Sequence, residues 1–367
     1  MKTAYTNCII YSGETIERNK AILVENGFIN TITDKDNIPG DYIKEDLGGL
    51  NIAPALIDIQ IYGGNGKMFS HCLDIASLQS TYDYCMEGGA AHFMITMATN
   101  SIDNFLKGIE AVREYWDKGY KGLLGLHMEG PYLNPVKKGA HIEGYIKKAE
   151  LGELEMLFDK GRGIIKMMTI APELCSDEAL AFLLKERILL SAGHSNADYR
   201  QGISGFDKGI PAATHLFNAM SPLQGREPGL VGAIYDHPSA MASIICDGVH
   251  VDFSSVRISK KIMKERLFFI TDAVTEIKEG EYHHHYKGDR YTLENGTLSG
   301  SALNMMKGVQ NAVRQVGISL EEALKMSSTY PARLLDERSK LGRIAAGYQA
   351  DLMVFNDRLE VVKMIVS

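Results

Sequence analysis

No apolar run in the sequence approaches ~18 residues, so no segment is long enough to cross a bilayer as a helix. Its opening stretch, MKTAYTNCIIYSGETIE, has a lysine but breaks its apolar character with threonine and asparagine too early for a signal peptide. There is no basic stripe. Lys and Arg number 39 against 46 Asp and Glu, a formal net charge of −7, which argues against a nucleic-acid partner because binding a phosphate backbone requires such a surface. Cysteine is scarce and unpatterned: Cys8, Cys72, Cys85, Cys175 and Cys246 are odd in number, far apart and never at C-x-x-C spacing. These absences predict a cytoplasmic protein in a reducing environment, with no membrane association. No repeat of about 20 to 50 residues is evident, and the triplet His283-His284-His285 is the one low-complexity tract.

What is present is the composition of a soluble enzyme, with 45% hydrophobic and 23% charged residues. The 367 residues suit a barrel of roughly 250 residues plus a smaller module. Both ends of the chain read as short strands. Near the start these are Ile9 to Tyr11, Ala21 to Val24 and Phe28 to Thr31, with Asn26-Gly27 as a hairpin turn. Near the end they are Leu352 to Phe355 and Val361 to Val366, with a turn at Asn356-Asp357. The expectation is a β-sandwich built from residues 1–50 and 336–367, flanking a barrel over residues 51–335.

Between the ends, short apolar runs alternate with helical periodicity, the pattern of β-α units. The runs stop near Gln60, Met97, Glu129, Glu173, His194, His215, Asp247 and Asp272, the number of strands a (β/α)8 barrel needs. The fold class is therefore α/β, a TIM-like barrel with a small β-sandwich domain. A segment from about Glu276 to Leu298 reads as a hairpin insertion, and Leu303 to Val316 as a helix.

Catalytic groups of such barrels lie at the C-terminal ends of the strands. Glu129, His194 and His215 close three different strands, so they can converge as one carboxylate and two imidazoles, a set that suits a catalytic zinc-type site with an open position. Singly, each has an ordinary reading as a cap or a hydrogen-bonded surface group; together they point to a metal. Asp272 closes the eighth strand, where a carboxylate can take a proton from an activated water, or cap the next helix. His250 and Arg226 follow the seventh and sixth strands, on the side where barrels often bind phosphate. Lys137 and Lys138 read as a solvated turn, and His141 beside them as a possible donor to a substrate carbonyl. Consecutive histidines in a strand point to alternate faces, so 283–285 make a poor metal site and read as an exposed hairpin.

The blocks APALIDIQIYG, GLHMEGPYLNPVKKGAH, SAGHSNA, ATHLFNAM, CDGVHVD, ITDAV and ENGTLSGSAL follow one another in an order that resembles the N-acetylglucosamine-6-phosphate deacetylases of the amidohydrolase superfamily. The resemblance spans nearly the whole chain. It implies hydrolysis of an N-acetylated amino-sugar phosphate to the amine and acetate, in amino-sugar catabolism, by a water activated at one divalent ion per subunit. Zinc is the expected ion, with Fe(II) or another divalent ion tolerated. It implies Glu129, His194 and His215 as metal ligands, Asp272 as general base and acid, and His141 at the reacting carbonyl. Ala140, Asn218, Ala219, Arg226, Asp247, Gly248, Val249, His250, Leu298, Ser299 and Gly300 would line the sugar-phosphate pocket. A homodimer or homotetramer is implied, with Arg226 acting in the neighbouring subunit's site. Many amidohydrolases carry His-x-His on the first strand for a second metal; Gln60 and Tyr62 stand there in this chain, so one metal is expected. The alternatives are a deacetylase for an epimer such as N-acetylgalactosamine 6-phosphate, and a non-catalytic barrel that binds sugar phosphates.

Overall fold

The computed structural model describes residues 1–277, 279–335 and 340–367. Lys278, inside the expected insertion, and residues 336–339, where the expected boundary of the C-terminal part falls, lie outside the described residues. The chain forms two compact units, one of Met1–Asp58, Cys85–His92 and Asn304–Ser367, the other of Ile59–Tyr84 and Phe93–Leu303.

The first unit is rich in sheet, and both chain ends contribute to it. A four-stranded sheet runs in the order Phe28–Asp34, Lys20–Glu25, Lys2–Thr6 and Ile43–Asp46. A five-stranded sheet runs in the order Val361–Ile365, Leu352–Phe355, Asn51–Pro54, Ile9–Tyr11 and Ile16–Glu17. Leu352 pairs with Pro54 and Phe355 with Asn51, which joins the N- and C-terminal segments in one ladder. Ile10, Ile22, Ile29, Ile52, Leu352 and Val354 share a core. The Asn26-Gly27 turn has φ of 52° and 80° at its two residues, the left-handed pair that a tight two-residue hairpin demands. The expected helix from Leu303 is observed as Met305–Asn311, continued by a π-helical turn through Val316.

The second unit holds six barrel strands whole and the C-terminal parts of the first two. The strands are β1 (Leu56–Ile61), β2 (Ala90–Ala98), β3 (Leu123–Glu129), β4 (Ile165–Ile170), β5 (Leu189–Ala192), β6 (Ala212–Ala213), β7 (Met241–Ile245) and β8 (Leu267–Ile270). They follow one another in order around a single eight-stranded sheet, and the pairs from β2 to β8 are parallel. The Asp272 amide donates to Gln60 O at 3.0 Å and the Tyr62 amide to Ala273 O at 2.9 Å, so β1 and β8 meet at the C-terminal rim. Crossover helices cover the outside. In Ile102–Asp117, Phe105, Ile109 and Val112 recur at helical spacing and are buried, while Ser101 caps the start by accepting from the Asn104 amide at 3.2 Å.

Inward-facing positions of β3 alternate, so His127 and Glu129 share the interior face, one layer apart. His127 is fully buried and sits 3.2 Å from Thr96 Oγ1 and 2.8 Å from Thr169 Oγ1, which continues to Thr214 Oγ1 at 2.8 Å. This polar layer forms the floor under Glu129. The insertion after β8 is a three-stranded sheet of His285–Tyr286, Arg290–Thr292 and Leu298–Ser301 rather than a simple hairpin. No helix among the described residues is long and apolar enough to cross a membrane.

Candidate active site

Three of the residues that converge at the rim leave their strands by the same backbone manoeuvre. His194, His215 and Asp272 each lie two positions past the end of β5, β6 and β8, and have φ of 47°, 37° and 54°. Non-glycine residues rarely occupy this left-handed region, at a cost on the order of 1–3 kcal/mol each. The His215 turn is held by its own amide, which donates to Ser243 Oγ at 2.8 Å.

Glu129 is the hub, with its side chain only 1% exposed. Its Oε1 lies 3.0 Å from His215 Nε2 and 3.3 Å from His194 Nε2, and the two Nε2 atoms are 3.1 Å apart. An ion at the usual zinc–ligand distance sets the edges of its tetrahedron at ~3.3 Å, so these three atoms have the spacing of a ligand set. His194 Nδ1 donates to Lys137 O at 2.9 Å, which leaves the Nε2 lone pair for an ion. Glu129, His141 and His194 also offer ligand atoms within 4.8 Å of one another. The bonding of His141 argues against that set: its Nδ1 accepts from the Thr99 amide at 3.2 Å, so the neutral ring carries its proton on Nε2. His141 is built to donate. Glu129, His194 and His215 are the better fit to a metal.

The electrostatics agree with this division. Burial opposes a charge on Glu129, but the His194 charge and the hydrogen bonds from His141, His194 and His215 outweigh it and hold the carboxyl well below its usual range. Burial likewise works against a charge on His215, and contact with Glu129 outweighs it, raising the imidazole. His141 is pushed down to about 4, by burial first and then by the His194 charge, and is neutral at pH 7. Asp272 is raised, chiefly by burial and with help from the Glu129 charge, which makes it a better proton acceptor than a solvated carboxylate. Gln60 and Tyr62 fill the place where a His-x-His pair would stand. Gln60 Nε2 donates to Asp272 Oδ1 at 2.8 Å and to Glu129 Oε1 at 3.1 Å, and the Tyr62 hydroxyl donates to Glu129 Oε2. Amide and phenol hydrogens thus occupy carboxylate oxygens that a second cation would need. Burial, then the charges of Glu129 and Asp272, push the Tyr62 phenol well above its usual range.

These groups line a cavity of about 300 Å³, together with Ala140, Asn218, Ala219, His250, Leu298, Ser299 and Gly300. Asp247, Gly248 and Val249, expected to line the pocket, are not among its lining residues and instead shape the His250 loop. Asp247 accepts from the amides of Val249 and His250 at 2.8 Å each, and from His250 Nδ1 at 2.6 Å. Gly248 has φ of 78°, and a Cβ there would meet the Phe253 ring at 2.6 Å. Arg226 is exposed and lines a different cavity, beside Asn196 and Tyr199, so within one chain it is not brought to the cluster. Lys138 pairs with Glu143 at 2.7 Å on the surface. Two participants carried no signal in the sequence: Thr99, which sets the His141 tautomer, and Tyr282, whose hydroxyl donates to Thr99 O at 2.6 Å. The expectation that 283–285 is an exposed hairpin fails at His284, which is 3% exposed and lines the cavity. The alternation used to dismiss the triplet as a closed metal site also turns its middle member inward.

A parallel barrel with a carboxylate-bis-imidazole cluster and a raised aspartate at its C-terminal rim is the architecture of a metal-dependent hydrolase, and the sequence comparisons agree. The chain belongs to the amidohydrolase family, whose profile matches residues 51–367, and residues 4–52 match the NagA composite domain. It is 34% identical to the N-acetylglucosamine-6-phosphate deacetylase of Haemophilus influenzae, over 100% of this chain and 98% of that one. It is 29% identical to an N-acetylgalactosamine-6-phosphate deacetylase of a Shewanella species, over 86% and 82% of the two chains. The crystal structure of N-acetylglucosamine-6-phosphate deacetylase from Pasteurella multocida superposes with a TM-score of 0.95 at 33% identity, covering 100% of this chain and 98% of that one.

Proposed function

We propose that this chain hydrolyses N-acetylglucosamine 6-phosphate to glucosamine 6-phosphate and acetate. The observation that carries the reading is the gathering of Glu129, His194 and His215 around one point with Asp272 beside them, in a chain similar end to end to a relative of that name. Glu129, His194 and His215 are assigned one divalent ion; a carboxylate with two imidazoles suits zinc and also accepts Fe(II). Such an ion, when bound, supplies Lewis-acid charge that acidifies water and polarises the acetyl carbonyl.

The chain's own groups do the proton work. Asp272 accepts a proton from the attacking water, a role its raised affinity for protons favours. His141, neutral and protonated on Nε2, donates to the carbonyl oxygen as negative charge develops there. Asp272 then returns its proton to the departing nitrogen, because an amine leaves poorly unless protonated. Gln60 holds Asp272 in place throughout.

For the phosphate we assign His250, braced by Asp247, and Arg226 from a neighbouring subunit of a homo-oligomer, which its place in a separate cavity of its own chain supports. A reducing cytoplasm fits five free cysteines, and amino-sugar catabolism is the matching role. The Shewanella relative supports a second reading, with the galactosamine epimer as substrate. The test is acetate release by the purified, metal-analysed protein from both sugar phosphates. Faster turnover of the galactosamine epimer favours the second reading, and no acetate from either leaves a sugar-phosphate-binding barrel.

A further inference from the structure

The run His283-His284-His285 has no part in the hydrolytic steps, and its imidazoles do not behave alike. Ile277 bridges His284, and the chain then enters the strand His285–Tyr286, so successive side chains alternate sides. His283 is on the surface, with Nε2 bonded to Gly280 O at 2.8 Å. His284 is buried, lies parallel to the Tyr282 ring at 6.2 Å between centroids, and lines the cavity that holds Glu129, His141 and Asp272.

His284 Nδ1 is 2.8 Å from Ser299 Oγ, and Ser299 lines the same cavity. Among the described residues, Ser299 is the hydrogen-bond partner of this ring and Nε2 has none, so Nε2 is the atom left for an occupant. Burial, then the charges of His285 and His283, push the imidazole down to about 4, so it is neutral at pH 7. A neutral imidazole against a serine hydroxyl has two arrangements. Either Ser299 donates to Nδ1 and Nε2–H is a donor, or Nδ1–H donates to Ser299 and Nε2 is an acceptor. The pair can match either sense of hydrogen bond. A hydroxyl both donates and accepts, so it suits such a pair; a phosphate is served better by charged donors.

We propose that His284, set by Ser299, is a specificity-determining residue that hydrogen-bonds a ring hydroxyl of the substrate. This rests on the reading of the site as an amino-sugar phosphate deacetylase. The experiment is steady-state kinetics of the zinc-loaded full-length protein and its His284→Phe, His284→Gln and Ser299→Ala variants. The substrates are N-acetylglucosamine 6-phosphate, its 4-epimer and its 3-deoxy and 4-deoxy analogues. Phe fills the space of the imidazole without a hydrogen bond, whereas Gln keeps a donor and an acceptor.

The expected result is a loss on the order of 10-fold in kcat/KM for His284→Phe on the parent sugar, mostly through KM. That loss should vanish on the one analogue lacking the hydroxyl that His284 reads, and His284→Gln should recover part of it. Equal losses on every sugar, or none on any, overturn the proposal while the deacetylase reading stands. Wild-type protein that releases no acetate from any of these sugars brings down both. Should His284→Phe fail to fold, His284→Gln and Ser299→Ala make the same comparison across the analogues.

Discussion

Gln60 and Asp272 face each other across the barrel seam, with the Gln60 amide 2.8 Å from Asp272 Oδ1. The contact joins the first strand to the turn after the last. It places a neutral donor, where a cation could sit, between two carboxylates that would otherwise repel.

If Gln60 and Tyr62 stand in for a second metal, restoring imidazoles should restore the ion. The double variant Gln60→His/Tyr62→His is expected to raise zinc content from one ion per chain towards two, as measured by elemental analysis. An unchanged stoichiometry would show that the seam itself is not a cation site.

Asp272→Asn should fold and keep its metal but lose at least about 100-fold in kcat, the lower range for removing a general base. Turnover and metal content measured on one preparation decide the matter. Near-normal turnover removes Asp272 from the proton path.

His141→Ala removes a donor aimed at developing negative charge, so kcat should fall by roughly 100-fold or more with little change in KM. Metal content should be retained, since His141 presents an N–H to the cluster. Loss of metal instead would make His141 a ligand and reverse the division of roles argued from its tautomer.

Acid should destabilise the fold through its neutral buried histidines. His127 and His284 are both pushed from 6.5 to about 4 by burial. Between those values the unfolded chain takes up protons that the folded chain refuses, so stability is intact above pH 6.5 and declines as pH falls towards 4. Each group contributes at most about 3 kcal/mol to that decline. Thermal unfolding of the metal-loaded protein from pH 7 to 4.5 should show a shallower fall in Tm for His284→Gln than for wild type. Parallel curves would mean that His284 is already protonated in the folded state.

Chelation should stop acetate release and lower Tm, because an ion that binds only the folded chain stabilises it by mass action. His215→Ala should start from the lowered Tm and respond little to chelator. A variant that responds like wild type would show that the ion does not depend on His215.

The barrel was legible because its strands end abruptly. All but one of the apolar runs stop at a polar residue, the exception being the run ending near Met97, and the observed strands end at or within about three residues of the expected places. Glu129, His194, His215 and Asp272 could be read for the same reason: they sit where the apolar pattern stops. The strands Lys2–Thr6 and Ile43–Asp46 could not be read, because they are half exposed and their residues alternate without a clear apolar face. Thr99 escaped notice because it acts in part through its backbone amide, which every residue but proline possesses, and a lone threonine hydroxyl marks no motif. His127 could have been found, since it lies two residues before Glu129 on the same strand face. Arg226 shows the opposite limit, a residue visible as a motif that lines a cavity other than the one holding the cluster.

Thr99 is grasped at both ends. Its amide holds the His141 ring, while its carbonyl accepts from the hydroxyl of Tyr282, two residues before His284 in the insertion after β8. The Tyr282 hydroxyl is thereby fixed to the same residue whose amide dictates which His141 nitrogen bears hydrogen. One residue therefore ties the insertion after β8 to the tautomer of His141.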